Sequence, residues 1–586
     1  MNNHNLDDKY KNVLKEKYEV LNNKFKDIEY TRPDFSKAKE ELKEIIKIIK
    51  NAKDYETVRG AFVSANNILI DLESAAVVCG IRNTIDTSDK YYEDEDLYIS
   101  GEFSNLSVVL KDLNVAILKS KFVKELEEEY GSLLIKTMEN EQKLVNSKIV
   151  PIEKKEYKLC SEYSKEVSMC KTTYQGEDCN FYGLLKFMES TDRNIRRGAF
   201  QEWAKLYEDV SGKLDDIYDK LIDLRIDKAN KLGFDSYIDY AYLSFNRFDY
   251  NKDDVKIFRE EVKKYIVPLA NKLYEEQANR LGIDKLHWYD EALSFKEGNA
   301  NPIGNKDELV SKAKEMYSDL SNETKEFFEF MTDHDLFDLE TRHGKRLGGY
   351  CTFINLYKAP FIFSNFNGTS QDVDVLTHEA GHAFQAYTAS RNIKLASQVW
   401  AGMETSEIHS MSMEHFTYPY MDKFFGENSN KYLYHHLTNA LMTIPYLVCV
   451  DLFQHKVFEN PKMTALERRK IWRDIEKEYM PWRDYEDNEF LNNGGFWMQK
   501  QHIFLHPFYY IDYALAQTCA FQFLIKYRNG FDSAWNDYLN LCKAGGSKGY
   551  LELLDLAHLN SPFKEGTVKE VVSKVEKIIK EFKNYI

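Results

Sequence analysis

Residues 378–382 read His-Glu-Ala-Gly-His, and this run constrains the chain more than any other. Two histidines four apart leave the same face of a helix one turn apart, where both imidazoles can hold one metal ion. The surrounding stretch supports a helix. Asp372 and Asp374 supply helix-start chemistry, and Val373, Leu376, Ala380, Ala383, Phe384 and Tyr387 recur at helical spacing. Gly381 is the exception. A mid-helix glycine costs about 1 kcal/mol relative to alanine, so its presence predicts tight packing against a neighbouring element. Glu379 stands where a carboxylate acts on a metal-activated water rather than on the metal, the general-base position of a zinc hydrolase.

Short H-E-x-x-H matches also arise by chance on exposed helices, and two histidines alone make an incomplete site, because a catalytic zinc takes three protein ligands and keeps one position open. The place of the third ligand separates the possibilities. The pattern H-E-x-x-H-x-x-G-x-x-H is excluded, since Gln385 and Thr388 occupy the glycine and third-histidine positions. Thermolysin-like and aminopeptidase-like chains place a glutamate in a window that here reads Trp400, Ala401, Gly402, Met403, without a carboxylate. The next acidic residues are Glu404, Glu407 and Glu414.

Together, His-Glu-Ala-Gly-His-Ala-Phe-Gln (378–385) and Ser-Glu-Ile-His-Ser-Met-Ser-Met-Glu (406–414) resemble the M3 family of zinc oligopeptidases, and within it the oligoendopeptidase F and Pz-peptidase branch. Further landmarks agree over roughly residues 190–565. Gly344, Lys345, Arg346, Gly348, Gly349 and Tyr350, then the run from Pro360 to Thr369, look like the strands that line the family's cleft. Residues 501–517 look like its His/Tyr-rich C-terminal signature. The resemblance implies one zinc ion per chain held by His378, His382 and Glu407, with Glu379 as general base. It implies that Tyr513, then Tyr510 and Tyr509, contact substrate near the cleaved bond with His502, His506 being the competing histidine. Gly348, Gly349 and Tyr350 are candidate substrate-binding residues, and Pro360 to Thr369 a candidate strand edge for an extended peptide. Asp374, one turn before His378, and Glu414, two turns after Glu407, are candidates to orient a ligand imidazole; an N-cap and a surface position are their ordinary alternatives.

A chain of 586 residues is long for one core. Hydrophobic content of 43% and charged content of 30% are those of a soluble globular protein. With 79 Lys plus Arg against 95 Asp plus Glu, the net charge of −16 argues against nucleic acid or anionic membranes as partners. The opening residues lack a basic and apolar leader pattern, and eight dispersed cysteines without a C-x-x-C pair fit reduced thiols, so a cytoplasmic protein is predicted. Cys351 is read chiefly as a small packing residue.

Before residue 190 the pattern is helical-bundle material. Leu42, Ile45, Ile46 and Ile49 form one face after Pro33-Asp34, and Val58, Phe62, Ala65, Leu69 and Leu72 another. Val109, Leu113, Ala116 and Ile117 continue it, as do Leu126, Tyr130, Leu133 and Leu134. The polar stretch 171–180 suggests a boundary between an N-terminal helical domain, 1–185, and a catalytic region, 186–586. Strand-like runs appear mainly between Arg346 and Phe366. The predicted fold is mainly α-helical, with a small β-sheet beside the metal helix and, by resemblance, a deep substrate groove. The predicted activity is zinc-dependent hydrolysis of internal bonds in short peptides. A dipeptidyl carboxypeptidase or other exopeptidase with the same site, and a catalytically silent peptide-binding protein, are the alternatives. Oligomeric state is not readable.

Overall fold

The computed structural model describes residues 9–586 apart from 343 and 347. The fold is mostly helical, with two small sheets among the described residues. The chain divides into two compact units, each assembled from three segments: residues up to 145, 302–426 and 526–559 in one, and 146–301, 427–525 and 560–586 in the other.

In the first unit the N-terminal helices follow the apolar periodicity. Helix Phe35–Asn51 starts at Asp34, whose side chain accepts from the Lys37 N–H, and buries Leu42, Ile45, Ile46 and Ile49. Helix Tyr55–Ile85, capped by Asp54, buries Val58, Phe62, Ala65 and Leu72 in the same core. By length and hydropathy Tyr55–Ile85 could cross a bilayer. Here that apolar surface lines the core. One predicted face is interrupted. Gly131, at φ +95°, ends helix Val123–Tyr130 and begins Ser132–Leu144 in a new direction, so Ile135 and Met138 are buried where Leu133 and Leu134 were expected.

The strands are β1 (Thr172–Tyr174), β2 (Glu177–Cys179), β3 (Phe337–Glu340), β4 (Tyr350–Ile354) and β5 (Ala359–Phe366). β1 and β2 form a hairpin in the second unit within the polar stretch 171–180, turning through Gln175 and Gly176, both at positive φ. The three-stranded sheet of the first unit has the order β3-β5-β4, with β5 parallel to β3 and antiparallel to β4. This corrects one expectation. The run beginning at Pro360 is the central strand rather than an edge, and β4 is the edge strand entered from Gly348 and Gly349. Pro360, which has no N–H to give, precedes Ile362, where pairing with β3 begins.

The second unit is built around the 40-residue helix Arg193–Leu232, closed by Gly233 in the left-handed conformation, and the long helix Ser429–Glu459.

Candidate metal centre

Helix Gln371–Asn392, the metal helix, lies on β4 and β5 and is packed by helices Met403–Phe416, Asn322–Asp333 and Phe531–Ala544. Its start is fixed from outside. The Asp372 carboxylate accepts from the N–H groups of Asn367 and Gly368 at 2.9 and 2.8 Å, tying the preceding loop to the first turn. Asp374 sits in that same first turn, its own N–H on the Ser370 carbonyl. Val373, Leu376, Ala380, Ala383 and Phe384 are fully buried, whereas His378, Glu379 and His382 keep part of their surface accessible.

Met403–Phe416, the glutamate helix, crosses the metal helix closely because of Gly381. A Cβ on residue 381 would stand 2.6 Å from Ser410 Cα and 2.8 Å from the His409 carbonyl oxygen. The contact brings Glu407 to the histidines. Its Oε2 lies 3.3 Å from His378 Nε2 and 3.5 Å from His382 Nε2. These three side chains offer donor atoms all within 4.8 Å of one another. Glu404, the competing carboxylate, is buried a turn earlier in the glutamate helix, outside this donor set. Ser410, one turn on, donates its hydroxyl to Glu407 Oε2 at 3.0 Å. Glu414 accepts from His378 Nδ1 at 2.6 Å. With Nδ1–H on Glu414, it is Nε2 that faces the donor cluster, and in the neutral ring, the form that binds a metal, Nε2 carries the lone pair.

The electrostatics follow from burial among paired charges. Burial works against the Glu407 carboxylate, but the His382 and His378 imidazoles overcome it and hold Glu407 well below the usual carboxylate range. Burial likewise opposes a charged His378, and hydrogen bonds to Glu407 and Glu414 more than offset it. Glu379 is displaced the other way: burial pushes its carboxyl above the usual range, against the pull of the imidazoles. The imidazole of His409, fully buried in the glutamate helix, is pushed down to about 3 by burial, so it is neutral.

β4 begins beside the general-base candidate. A Cβ on Gly349 would stand 3.3 Å from the Phe363 carbonyl oxygen, a tight contact, and 3.9 Å from Glu379 Oε1. Gly348, at φ +97°, makes the turn into the strand. Asn365 Nδ2 holds it by donating to the carbonyls of Arg346 and Gly348 at 2.9 and 2.7 Å. The Tyr350 ring stacks on Phe363 and its hydroxyl is 2.6 Å from Thr84 Oγ1. Cys351 is half-buried on β4, and burial pushes its thiol well above the ordinary value.

The aromatic candidates lie in the second unit. His502 packs against Tyr510 at 4.8 Å between ring centroids, stacks on Tyr509 at 5.7 Å and meets Tyr513 edge-on at 6.5 Å. The Tyr509 hydroxyl donates to that of Tyr513 at 3.1 Å. His506 is exposed, so the histidine stacked among these rings is His502, which burial pushes down to about 3. Helix Ile511–Asn529 starts only after Phe508, at φ +67°, so Phe508 is buried while Tyr509, Tyr510 and Tyr513 stay partly accessible. An ion pair unseen in the sequence fixes that corner: Arg247 bridges the Phe508 carbonyl at 2.8 Å and the Asp512 carboxylate at 2.7 Å, both charges fully buried.

The model of peptidase family M3 matches residues 186–573, and that of the peptidase M3 N-terminal domain matches 25–145. The chain belongs to peptidase family M3. Among curated M3 relatives it is 22% identical to the group B oligopeptidase PepB of Streptococcus agalactiae over 62% of this chain and 60% of that protein. It is 24% identical to the chromosomal oligoendopeptidase F of Lactococcus lactis subsp. cremoris over 65% and 62%. The matched region thus spans about three-fifths of each of these relatives. Among solved M3 structures, PZ peptidase A with an inhibitor is 43% identical, with a TM-score of 0.90 over 95% of this chain and 99% of that one. A provisionally named oligoendopeptidase F from Bacillus anthracis str. Ames is 40% identical, with a TM-score of 0.86 over 96% and 99%.

Proposed function

We infer that this chain is a zinc-dependent endopeptidase that hydrolyses internal bonds of short peptides. The observation that carries the reading is the convergence of His378 Nε2 and His382 Nε2 on one Glu407 oxygen at 3.3 and 3.5 Å, with Glu379 alongside. Ligands about 2.0–2.2 Å from a tetrahedral zinc stand roughly 3.3–3.6 Å from one another, so this nitrogen and carboxylate set fits that ion. Zinc bound there supplies Lewis-acid activation of water and of a peptide carbonyl.

The rest belongs to the chain. Glu414 holds the His378 ring in the tautomer whose Nε2 is a ligand. Glu379, with its proton affinity raised by burial, accepts the proton of the attacking water and passes it to the departing amine. Gly349 leaves room for a peptide backbone next to Glu379, and the outer edge of β4 pairs with an extended substrate through main-chain hydrogen bonds, which gives little side-chain selectivity. By the family resemblance, Tyr513 with Tyr510 is the candidate donor to the carbonyl oxygen as negative charge develops on it, and Tyr509 and the neutral His502 are the candidate substrate contacts. The relatives' names, oligopeptidase and oligoendopeptidase, support short peptides and internal bonds. Eight cysteines dispersed along the sequence without a C-x-x-C pair support a reducing compartment, the cytoplasm.

Glu379→Gln tests the reading. The variant is expected to keep zinc and bind peptide while kcat falls by about 10²–10⁴. Equal turnover by the variant and the wild-type protein would remove Glu379 from the mechanism and the endopeptidase reading with it.

A further inference from the structure

Scattered exposed apolar side chains are ordinary on a protein surface. Trp400 is not scattered. Its indole is 36% exposed, and it meets the His382 ring edge-on at 6.5 Å between centroids. Three residues on, Met403 opens the glutamate helix with 41% of its surface exposed. Two large apolar side chains therefore stand open on the segment that joins the histidine pair to Glu407.

The backbone beneath Trp400 is immobilised. Gln385, fully buried in the metal helix, donates to the Val399 carbonyl at 2.7 Å. Gln398 donates its side-chain amide to the Tyr130 carbonyl at 2.9 Å, and its own carbonyl accepts from the Gly546 N–H at 2.8 Å. Gly546 approaches so closely that a Cβ there would lie 2.1 Å from the Trp400 carbonyl oxygen. Gly545, at φ +49°, is also tight, its would-be Cβ 2.6 Å from the Gln398 carbonyl oxygen. An aromatic side chain on a rigid backbone gives contact area at small entropic cost, which is the property of a recognition residue.

The geometry points to Trp400 as a specificity-determining residue, the wall of an apolar subsite that takes a large hydrophobic or aromatic side chain of the peptide. Because Trp400 stands against the ring of His382, a candidate metal ligand, the side chain recognised lies near the cleaved bond, within about two residues of it. Met403 extends the same surface with a thioether, which adapts to aromatic and aliphatic partners alike. This subsite rests on the endopeptidase reading for its position relative to a scissile bond.

The test uses internally quenched peptides that differ only in carrying Phe, Leu, Ala or Glu at each position within two residues of the cleaved bond, with products located by mass. Wild-type protein is compared with Trp400→Ala, Trp400→Phe and Met403→Ala, each checked for zinc content. Wild type is expected to favour Phe or Leu at one position. The Phe-to-Ala ratio of kcat/KM is expected to fall about tenfold in Trp400→Ala and to be largely kept in Trp400→Phe. Peptide binding is measured in parallel in Glu379→Gln protein with and without Trp400→Ala, so a chain that cuts nothing still reports on the subsite through the Phe-to-Ala ratio of Kd. Absence of cleavage would then count against the endopeptidase reading alone. A ratio that Trp400→Ala leaves unchanged, in cleavage or in binding, overturns the subsite.

Discussion

Glu414 decides which nitrogen of His378 is free, and it does so from two turns beyond Glu407. Partners of this kind usually support metal affinity by about 10–100-fold, so Glu414→Ala is expected to weaken zinc binding by that factor in a competition titration against a chromophoric chelator. An unchanged zinc affinity would show that the 2.6 Å bond to Nδ1 is dispensable. Helical spacing made the histidine pair legible in the sequence; Glu407 was chosen over Glu404 only by the family resemblance, and Glu414 followed as the residue two turns on along the same face. Ser410, Trp400 and the Arg247–Asp512 pair were not legible as parts of a site. Ser410 is an ordinary helix serine until Glu407 is placed, and Arg247 meets Asp512 across a separation of 265 residues that no local pattern spans.

At the scale of elements, the close crossing of two helices makes the donor cluster. Alanine at 381 would gain about 1 kcal/mol of helix propensity, but its Cβ would meet backbone atoms of Ser410 and His409 that cannot rotate away. Overpacking of this sort costs about 1–3 kcal/mol. Gly381→Ala is therefore expected to lower the melting temperature and weaken zinc binding together; a more stable variant with intact zinc affinity would contradict the crossing. Strand β4 is positioned from the far side by helix Tyr55–Ile85, through Thr84 Oγ1 to the Tyr350 hydroxyl and through the Thr84 carbonyl, which accepts from the Arg346 N–H at 3.0 Å. Thr84→Val removes the hydrogen bond to Tyr350, worth about 1 kcal/mol, along with the hydroxyl's bond to the Ile81 carbonyl within its own helix, and KM for peptides is expected to rise about fivefold with kcat held. A change confined to kcat would place Tyr350 in the chemistry instead of in strand positioning. The glycine's packing role was legible because mid-helix glycine is costly. The strand order was not, because β5 reads as an isolated apolar run until β3, from 337, pairs beside it.

At the scale of the whole molecule, two distant segments of the first unit are joined at Glu16, whose carboxylate accepts from the Ala396 N–H at 2.6 Å. Burial, only partly countered by that bond, pushes its pKa up to about 7 from the ordinary 4.5. A carboxyl raised on folding contributes stability that is full below the unfolded pKa and lost as pH rises through the folded one. The wild-type melting temperature is therefore expected to drop relative to that of Glu16→Gln between pH 5 and 8; parallel curves would remove Glu16 from the linkage. Helical class and the apolar faces of the first helices were legible because they rest on periodicity. The division into two units, each built from three distant segments, leaves no composition signal along the chain.

The measurement that tests the account most directly is cleavage of an internally quenched peptide by purified protein, with zinc per chain quantified and products identified by mass, before chelation, after it and after zinc is restored. The account predicts internal cleavage that disappears with the metal and returns at one zinc per chain. Cleavage that persists in zinc-free protein, or zinc-loaded protein that binds the peptide and releases no internal product, would contradict it.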